Sequence, residues 1–211
     1  MRNRVKIGID VDNVINNLTE CVISVYNEDT GSDLKLTDII DYDITLFVKP
    51  ELRKIFYQYF SDDRVWKRLQ IKDGAADCIE NLTKTNEVYF VTSTYPENVY
   101  RKAKWLSEHI RGVDIDKRLI ICHNKPLLSE LDILFDDYEP NLRGSYMGII
   151  MNYAWNQCPN RRNMTAEERV RWLIYRRVDN WSEFQSIVET TDSALNKIAT
   201  ELTTFKESGL I

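Results

Sequence analysis

The sequence predicts an α/β fold: a mostly parallel sheet covered by helices on both faces, with a small helical cap inserted after the first strand. Three observations predict it. Short apolar runs recur along the chain and alternate with segments of helical periodicity. Those runs are apolar at successive positions, as strands buried on both faces require. Residues 16–72 break the rhythm, being rich in helix formers and aromatics with no convincing strand.

Each element follows in turn. "VKIGIDV" (5–11) is the first strand, and the insertion 16–72 comes directly after it. Within the insertion Pro50 suits the first turn of a helix starting near 50. Phe56 and Phe60, four residues apart, fall on one helix face that packs inward. A helix over 73–84 places Ala76, Ile79 and Leu82 together, and "EVYFVTS" (87–93) is the second strand. A helix over 97–110 carries Val99, Ala103, Leu106 and Ile110 on one stripe. "LIIC" (119–122), "DILFDD" (132–137) and "MGIIMN" (147–152) complete the strands. The basic run "RVRWLIYRRV" (169–178) reads as a solvated helix face. Near the end, Leu195, Ile198, Leu202 and Phe205 form a stripe before Gly209, a helix suited to pack on the core or on a second copy in a homodimer. The expected division is a core of 1–15 and 73–190, a cap of 16–72, and a terminal helix over 191–211.

Composition narrows the class. The 211 residues are 43% hydrophobic and 29% charged, which suits one soluble core with an inserted subdomain. A net charge of −5 argues against broad nucleic-acid or membrane-surface binding. No apolar run approaches a membrane span, and acids interrupt "MRNRVKIGIDVDN" too early for a signal peptide. Cys21, Cys78, Cys122 and Cys158 have no metal-binding spacing, so reduced thiols and a cytoplasmic setting are expected. With only His109 and His123, a histidine-driven mechanism has little to work with.

Chemistry-bearing residues gather where strands end. The first strand ends at Asp10 and Asp12, the second at Thr92 and Ser93, and the fourth at Asp136 and Asp137, with Lys125 in the preceding loop. Open parallel sheets bind ligands outside the carboxyl ends of their strands, so these distant residues meet at one edge. Strand alternation points Asp10 and Asp12 to the same side. Carboxylates crowded beside Asp136 repel one another unless a cation sits among them, and hard oxygen ligands select magnesium. One aspartate can then attack phosphorus while the second handles protons. Thr92 and Lys125 would hold the transferring oxygens. Taken singly, D-x-D fits an exposed turn, Ser93 or Thr94 a helix N-cap, and Lys125 a surface lysine. Their joint order at strand ends is what points to a site.

"IDVDNV", "FVTS", Lys125 and "LFDDYEPNL", in this order, resemble the four motifs of the haloacid dehalogenase-like phosphatases, over about residues 5–152. Within them the chain looks most like the pyrimidine-type 5'(3')-deoxyribonucleotidases, to whose ending "RVDNWSEF" (177–184) is also similar. The resemblance implies a Rossmann-like sheet with a helical cap and magnesium-dependent hydrolysis of nucleoside monophosphates. It implies Asp10 as nucleophile and Asp12 as general acid/base, the latter also giving the metal its backbone carbonyl. Thr92, Ser93 and Lys125 match the phosphate-holding groups, and Asp136 and Asp137 the metal-ligating acids. Asn13 is the departure, since glycine is commoner there; its backbone nitrogen would face phosphate. Phe47, Trp66 and Tyr95 are the aromatics offered for stacking on a base. Other small phosphate esters, a nucleic-acid end phosphate, or a silent binding protein are the competing expectations.

Overall fold

The computed structural model describes residues 4–157 and 175–191. Six strands form one parallel sheet in the order β3-β2-β1-β4-β5-β6. They are β1 (Lys6–Ile9), β2 (Glu87–Thr92), β3 (Leu119–Ile121), β4 (Ile133–Asp136), β5 (Met147–Met151) and β6 (Arg176–Val178). Period-two alternation divides the side chains between the two faces. In β4, Ile133 and Phe135 join the larger buried cluster, while Leu134 joins a smaller one with Val91, Leu131, Leu142 and Ile150. All four residues of β4 are buried, as a central strand covered on both sides demands.

The five expected strands are present, and β6 adds a sixth. Its residues lie in the basic run expected as a helix face; Arg176 and Arg177 are edge-strand residues whose charges mask a three-residue ladder with β5. The first strand is shorter than expected. It ends at Ile9, so alternation does not place Asp10 and Asp12; a turn does, with Ile15 N–H bonded to the Val11 carbonyl at 2.9 Å.

The insertion follows β1 and is helical, but much of it is wound in short 3₁₀ turns. It contains α1 (Leu18–Thr30), closed by Gly31 at φ 65°, and α2 (Asp63–Arg68). Between them Pro50 opens only a three-residue 3₁₀ turn. Residues Phe56–Ser61 form another. Phe56 is fully buried and Phe60 half-buried beside it, their rings edge-on with centroids 6.2 Å apart, and Phe60 also lines the cavity described below.

Three helices follow on the core: α3 (Ala75–Thr83), α4 (Val99–His109) and the single turn α5 (Ile115–Arg118). The buried residues of α4 are Lys102, Trp105 and Leu106, so its inward face is rotated from the stripe through Val99 and Ala103. Residues 181–191 are helical (α6) and pack against β4. Phe184 stacks on Phe135 with centroids 4.1 Å apart, and Trp181 meets Phe135 edge-on at 5.4 Å. Each such buried aromatic stabilises the fold by about 1.5–3 kcal/mol through area removed from water. The expected terminal stripe through Leu195, Ile198, Leu202 and Phe205 lies outside the described residues, as does Cys158. Cys21, Cys78 and Cys122 are free thiols. Among the described residues, no helix is long and apolar enough to cross a membrane.

Candidate active site

From β1 the chain moves outward through β2 to β3, then returns to place β4 on the other side of β1. The order reverses between β1 and β4, and such switch points open a crevice at the carboxyl ends of the strands. Asp10 follows β1, and Asp136 and Asp137 close β4. The ladder continues one residue past β1, with Asp10 N–H donating to the Phe135 carbonyl at 2.8 Å. Carboxylate oxygens of Asp10, Asp136 and Asp137, all buried, lie within 4.8 Å of one another.

Lys125 lies among these acids. It is 2% exposed, with Nζ 2.8 Å from Asp10 Oδ1 and 2.6 Å from Asp136 Oδ2. Burial opposes its charge, but Asp10 and Asp136 outweigh that and hold the ammonium above its usual range. One lysine cannot balance three carboxylates. Burial, resisted by Lys125 and reinforced by Asp136 and Asp12, raises the Asp10 pKa to about 7. Burial, with Asp136 and Asp10, likewise pushes Asp137 well above the carboxylate range. A pocket of converging hard oxygens short of positive charge fits a divalent cation.

The acids differ in how they are held. Asp10 Oδ1 takes both contacts, the ion pair with Lys125 and the Val11 N–H that donates at 2.8 Å. Asp136 accepts from the Tyr138 N–H at 2.9 Å and from Asn141 Nδ2 at 3.1 Å. Asp12 belongs to a second arrangement. Lys102, 1% exposed, donates to Asp12 Oδ2 at 2.5 Å and to Thr92 Oγ1 at 2.8 Å. Asp10 and Asp12 are therefore each paired with a different buried lysine. Sequence reasoning missed Lys102 because it looked for chemistry only at strand ends. The available signal was a lysine in helical phase with Asn98, Trp105 and Leu106, on what proved to be the buried face of α4.

A cavity of about 480 Å³ opens over this edge. Asp10, Asp12, Asn13, Ser93, Lys125 and Asp137 line it, as do Trp66 and Tyr95. Thr92 is fully buried and meets the site through Lys102. Phe47 does not line the cavity; it packs against the core cluster. The Asn13 N–H, expected to face phosphate, donates to Asn16 Oδ1 at 3.2 Å. Cavity residues the sequence did not single out include Phe60, Tyr42 and His123, whose Nδ1 is 2.6 Å from Ser93 Oγ. Tyr42 stacks on Tyr138 with centroids 3.8 Å apart, forming a wall shared by insertion and core.

The insertion is fastened over the site. Asn98 Nδ2 donates to the Phe60 carbonyl at 3.2 Å and to Ser61 Oγ at 3.0 Å. Arg101 donates to the Ser61 carbonyl at 3.1 Å and pairs with Asp63 at 2.6 Å. Lys102 reaches Asp12 from the same helix, so one helix start serves both the cap contact and the acid.

Comparison with known proteins agrees with this geometry. A 5'(3')-deoxyribonucleotidase of Clostridium acetobutylicum is 32% identical over 161 residues, covering 75% of this chain and 88% of the relative. A haloacid dehalogenase-like protein of unknown function from Agrobacterium tumefaciens superposes with a TM-score of 0.62 at 9% identity, over 90% of this chain and 100% of that one. A HAD hydrolase from Bacillus subtilis, solved bound to magnesium, superposes with a TM-score of 0.53 at 15% identity, over 88% and 99% of the two chains. Residues 3–192 match the family described as "5' nucleotidase, deoxy (Pyrimidine), cytosolic type C protein". On that match, and with the acids and lysine of its sheet edge in place, the chain belongs to this 5'(3')-deoxyribonucleotidase family and has the haloacid dehalogenase-like fold.

Proposed function

We propose that the protein is a magnesium-dependent phosphatase that hydrolyses deoxyribonucleoside monophosphates through an aspartyl-phosphate on Asp10, with 16–72 acting as the substrate-facing cap. The observation that carries this is the buried acid cluster with Lys125, set at the switch point beneath a cavity walled by aromatics. The names of the family and of the Clostridium relative support the substrate class and, with the free thiols, a cytoplasmic setting.

Asp10, Asp136 and Asp137, with the Asp12 backbone carbonyl, would hold the cation; when bound it neutralises phosphate oxygens during transfer. The remaining work falls to side chains of this chain. Lys125 and the Val11 N–H hold Asp10 through Oδ1, which directs Oδ2 at phosphorus. As the Oδ2–P bond forms, the ester P–O bond breaks and the leaving oxygen takes a proton from Asp12. Asp12 then removes a proton from water, whose oxygen attacks phosphorus, releasing phosphate and restoring the Asp10 carboxylate. Lys102 fixes the direction of Asp12, while Ser93 presents a hydroxyl to the phosphate oxygens. Trp66 and Tyr95 offer flat apolar surface for a base.

The test is phosphate release from a panel of monophosphates, with magnesium and with chelator, for the wild type and Asp10→Asn. Release that depends on both magnesium and Asp10 is expected, fastest on dUMP or dTMP. No hydrolysis above the mutant level would remove the enzyme reading. Faster release from sugar phosphates would remove the nucleotide assignment alone.

A further inference from the structure

Asn13 occupies a position that favours glycine, at φ 61°, and it is the one non-glycine residue with positive φ among the described residues. Asparagine visits this region at lower cost than most side chains, so the backbone admits it without demanding it. What the side chain does there is specific. Its Nδ2 donates to Asp137 Oδ2 at 3.1 Å, and its Oδ1 accepts the Thr19 N–H at 3.0 Å. The second bond satisfies one of the free N–H groups in the first turn of α1. A carboxylate on one side and a backbone N–H on the other fix the orientation of the amide. The backbone of the residue is held as well. Its N–H donates to Asn16 Oδ1 at 3.2 Å, and its carbonyl accepts from Tyr153 Oη at 2.6 Å.

We infer that Asn13 is a positioning residue for the cation site: its amide, anchored on α1 and by Tyr153, holds Asp137 in the orientation that completes the cluster with Asp10 and Asp136. Asp137 directly follows β4, and this amide bridges it to the loop after the neighbouring strand β1. Without it, a buried carboxylate facing two others has freedom to turn away from them, and the cation must reorder it on binding. Groups that orient ligands in this way commonly change metal affinity by about 10–100-fold when removed. Glycine keeps the positive φ and removes only the amide, so Asn13→Gly is expected to fold.

The inference rests on the acid cluster being a cation site. Calorimetric titration of metal-free protein with MgCl2 tests both, using the wild type, Asn13→Gly, Asp137→Asn and the double variant. Expected is at least about 10-fold weaker magnesium binding for Asn13→Gly, with magnesium-free melting confirming an intact fold. In the Asp137→Asn background the same glycine should have little effect, because its partner has lost the charge it aims. Equal weakening in both backgrounds would make Asn13 a helix cap and nothing more, overturning the inference. Unchanged affinity in Asn13→Gly would overturn it too. Absence of magnesium uptake by the wild type would overturn both the inference and the cation reading.

Discussion

Breaking the Lys102–Asp12 pair should have different consequences depending on which partner is removed. The side chain of Lys102 is 2% exposed, whereas that of Asp12 is 21% exposed and faces the cavity. Lys102→Met fills the same space with an apolar chain. Asp12 then loses its counter-charge but gains water, and Thr92 loses one donor, so the cost is about 1–3 kcal/mol. Asp12→Leu is the harsher change. It leaves an ammonium buried with only the Thr92 hydroxyl as partner, which costs about 3–5 kcal/mol. The double variant removes the stranded charge and should return close to Lys102→Met alone. Urea unfolding followed by circular dichroism, in chelator so that metal binding does not contribute, gives the three differences directly. Asp12→Leu no worse than Lys102→Met, or a double variant that sums the two single losses, would refute the assignment of an ion pair buried chiefly on its lysine side. On the proposed mechanism, turnover should fall by about 10²–10³-fold in Lys102→Met, because Asp12 is no longer held in place to transfer protons.

Three further outcomes are expected. The Asp10 pKa is about 7 in the folded protein against an ordinary 3.8, so the folded state keeps this proton longer than the unfolded chain. Its contribution to stability is complete below the lower value and lost as pH rises through the higher one. The melting temperature of metal-free wild type relative to Asp10→Asn should therefore fall across that window and level off above it, while stabilisation by added magnesium grows; a flat difference would count against the burial of this charge. Trp66→Ala should raise KM for nucleoside monophosphates more than for a small generic phosphate ester, and steady-state kinetics showing equal effects would make Trp66 a packing residue. In Gly144→Ala the new Cβ would lie 2.1 Å from the backbone oxygen of Pro126, beside Lys125. Urea melts should show a loss of about 1–3 kcal/mol, with turnover reduced although no site residue is changed; wild-type values for both would show that the loop yields freely.

Much of this was legible in the chain because buried parallel strands leave a strong mark. "EVYFV" and "DILFD" are apolar on both faces, and a sheet in which acids follow such runs has few places to put them. What alternation could not reveal was the turn after Ile9, where backbone hydrogen bonds place Asp12 and Asn13. The 3₁₀ winding of the insertion was equally hidden, since aromatics four apart suggest an α-helix until the winding is known; the inward packing of Phe56 and Phe60 was legible, but the cavity wall that Phe60 also forms was not. Phe47 is aromatic in the right segment, yet composition does not say which way a ring faces. Lys102 was lost to a different cause: a helical lysine is so often solvated that its phase with buried neighbours has to be checked. β6 was masked by arginines at an edge, where charge is compatible with a strand.

The insertion leaves and rejoins the core at a single point. Asn16 and Ile71 pair as an isolated antiparallel bridge, and the Lys72 N–H donates to the Ile15 carbonyl at 2.8 Å. Its two ends are therefore neighbours, like the two wires of a plug, while its buried side chains, Tyr26 and Phe56 among them, join the same core cluster as Ile7 and Ile9 of β1. On the proposed reading of 16–72 as the substrate-facing cap, specificity would change through that one segment while the acids keep their places. The neck is also only a few residues from Asp12 and Asn13. A replacement segment that pulled on it would be felt first at Asp12 and Asn13, which sets a limit on which substitutes the core accepts.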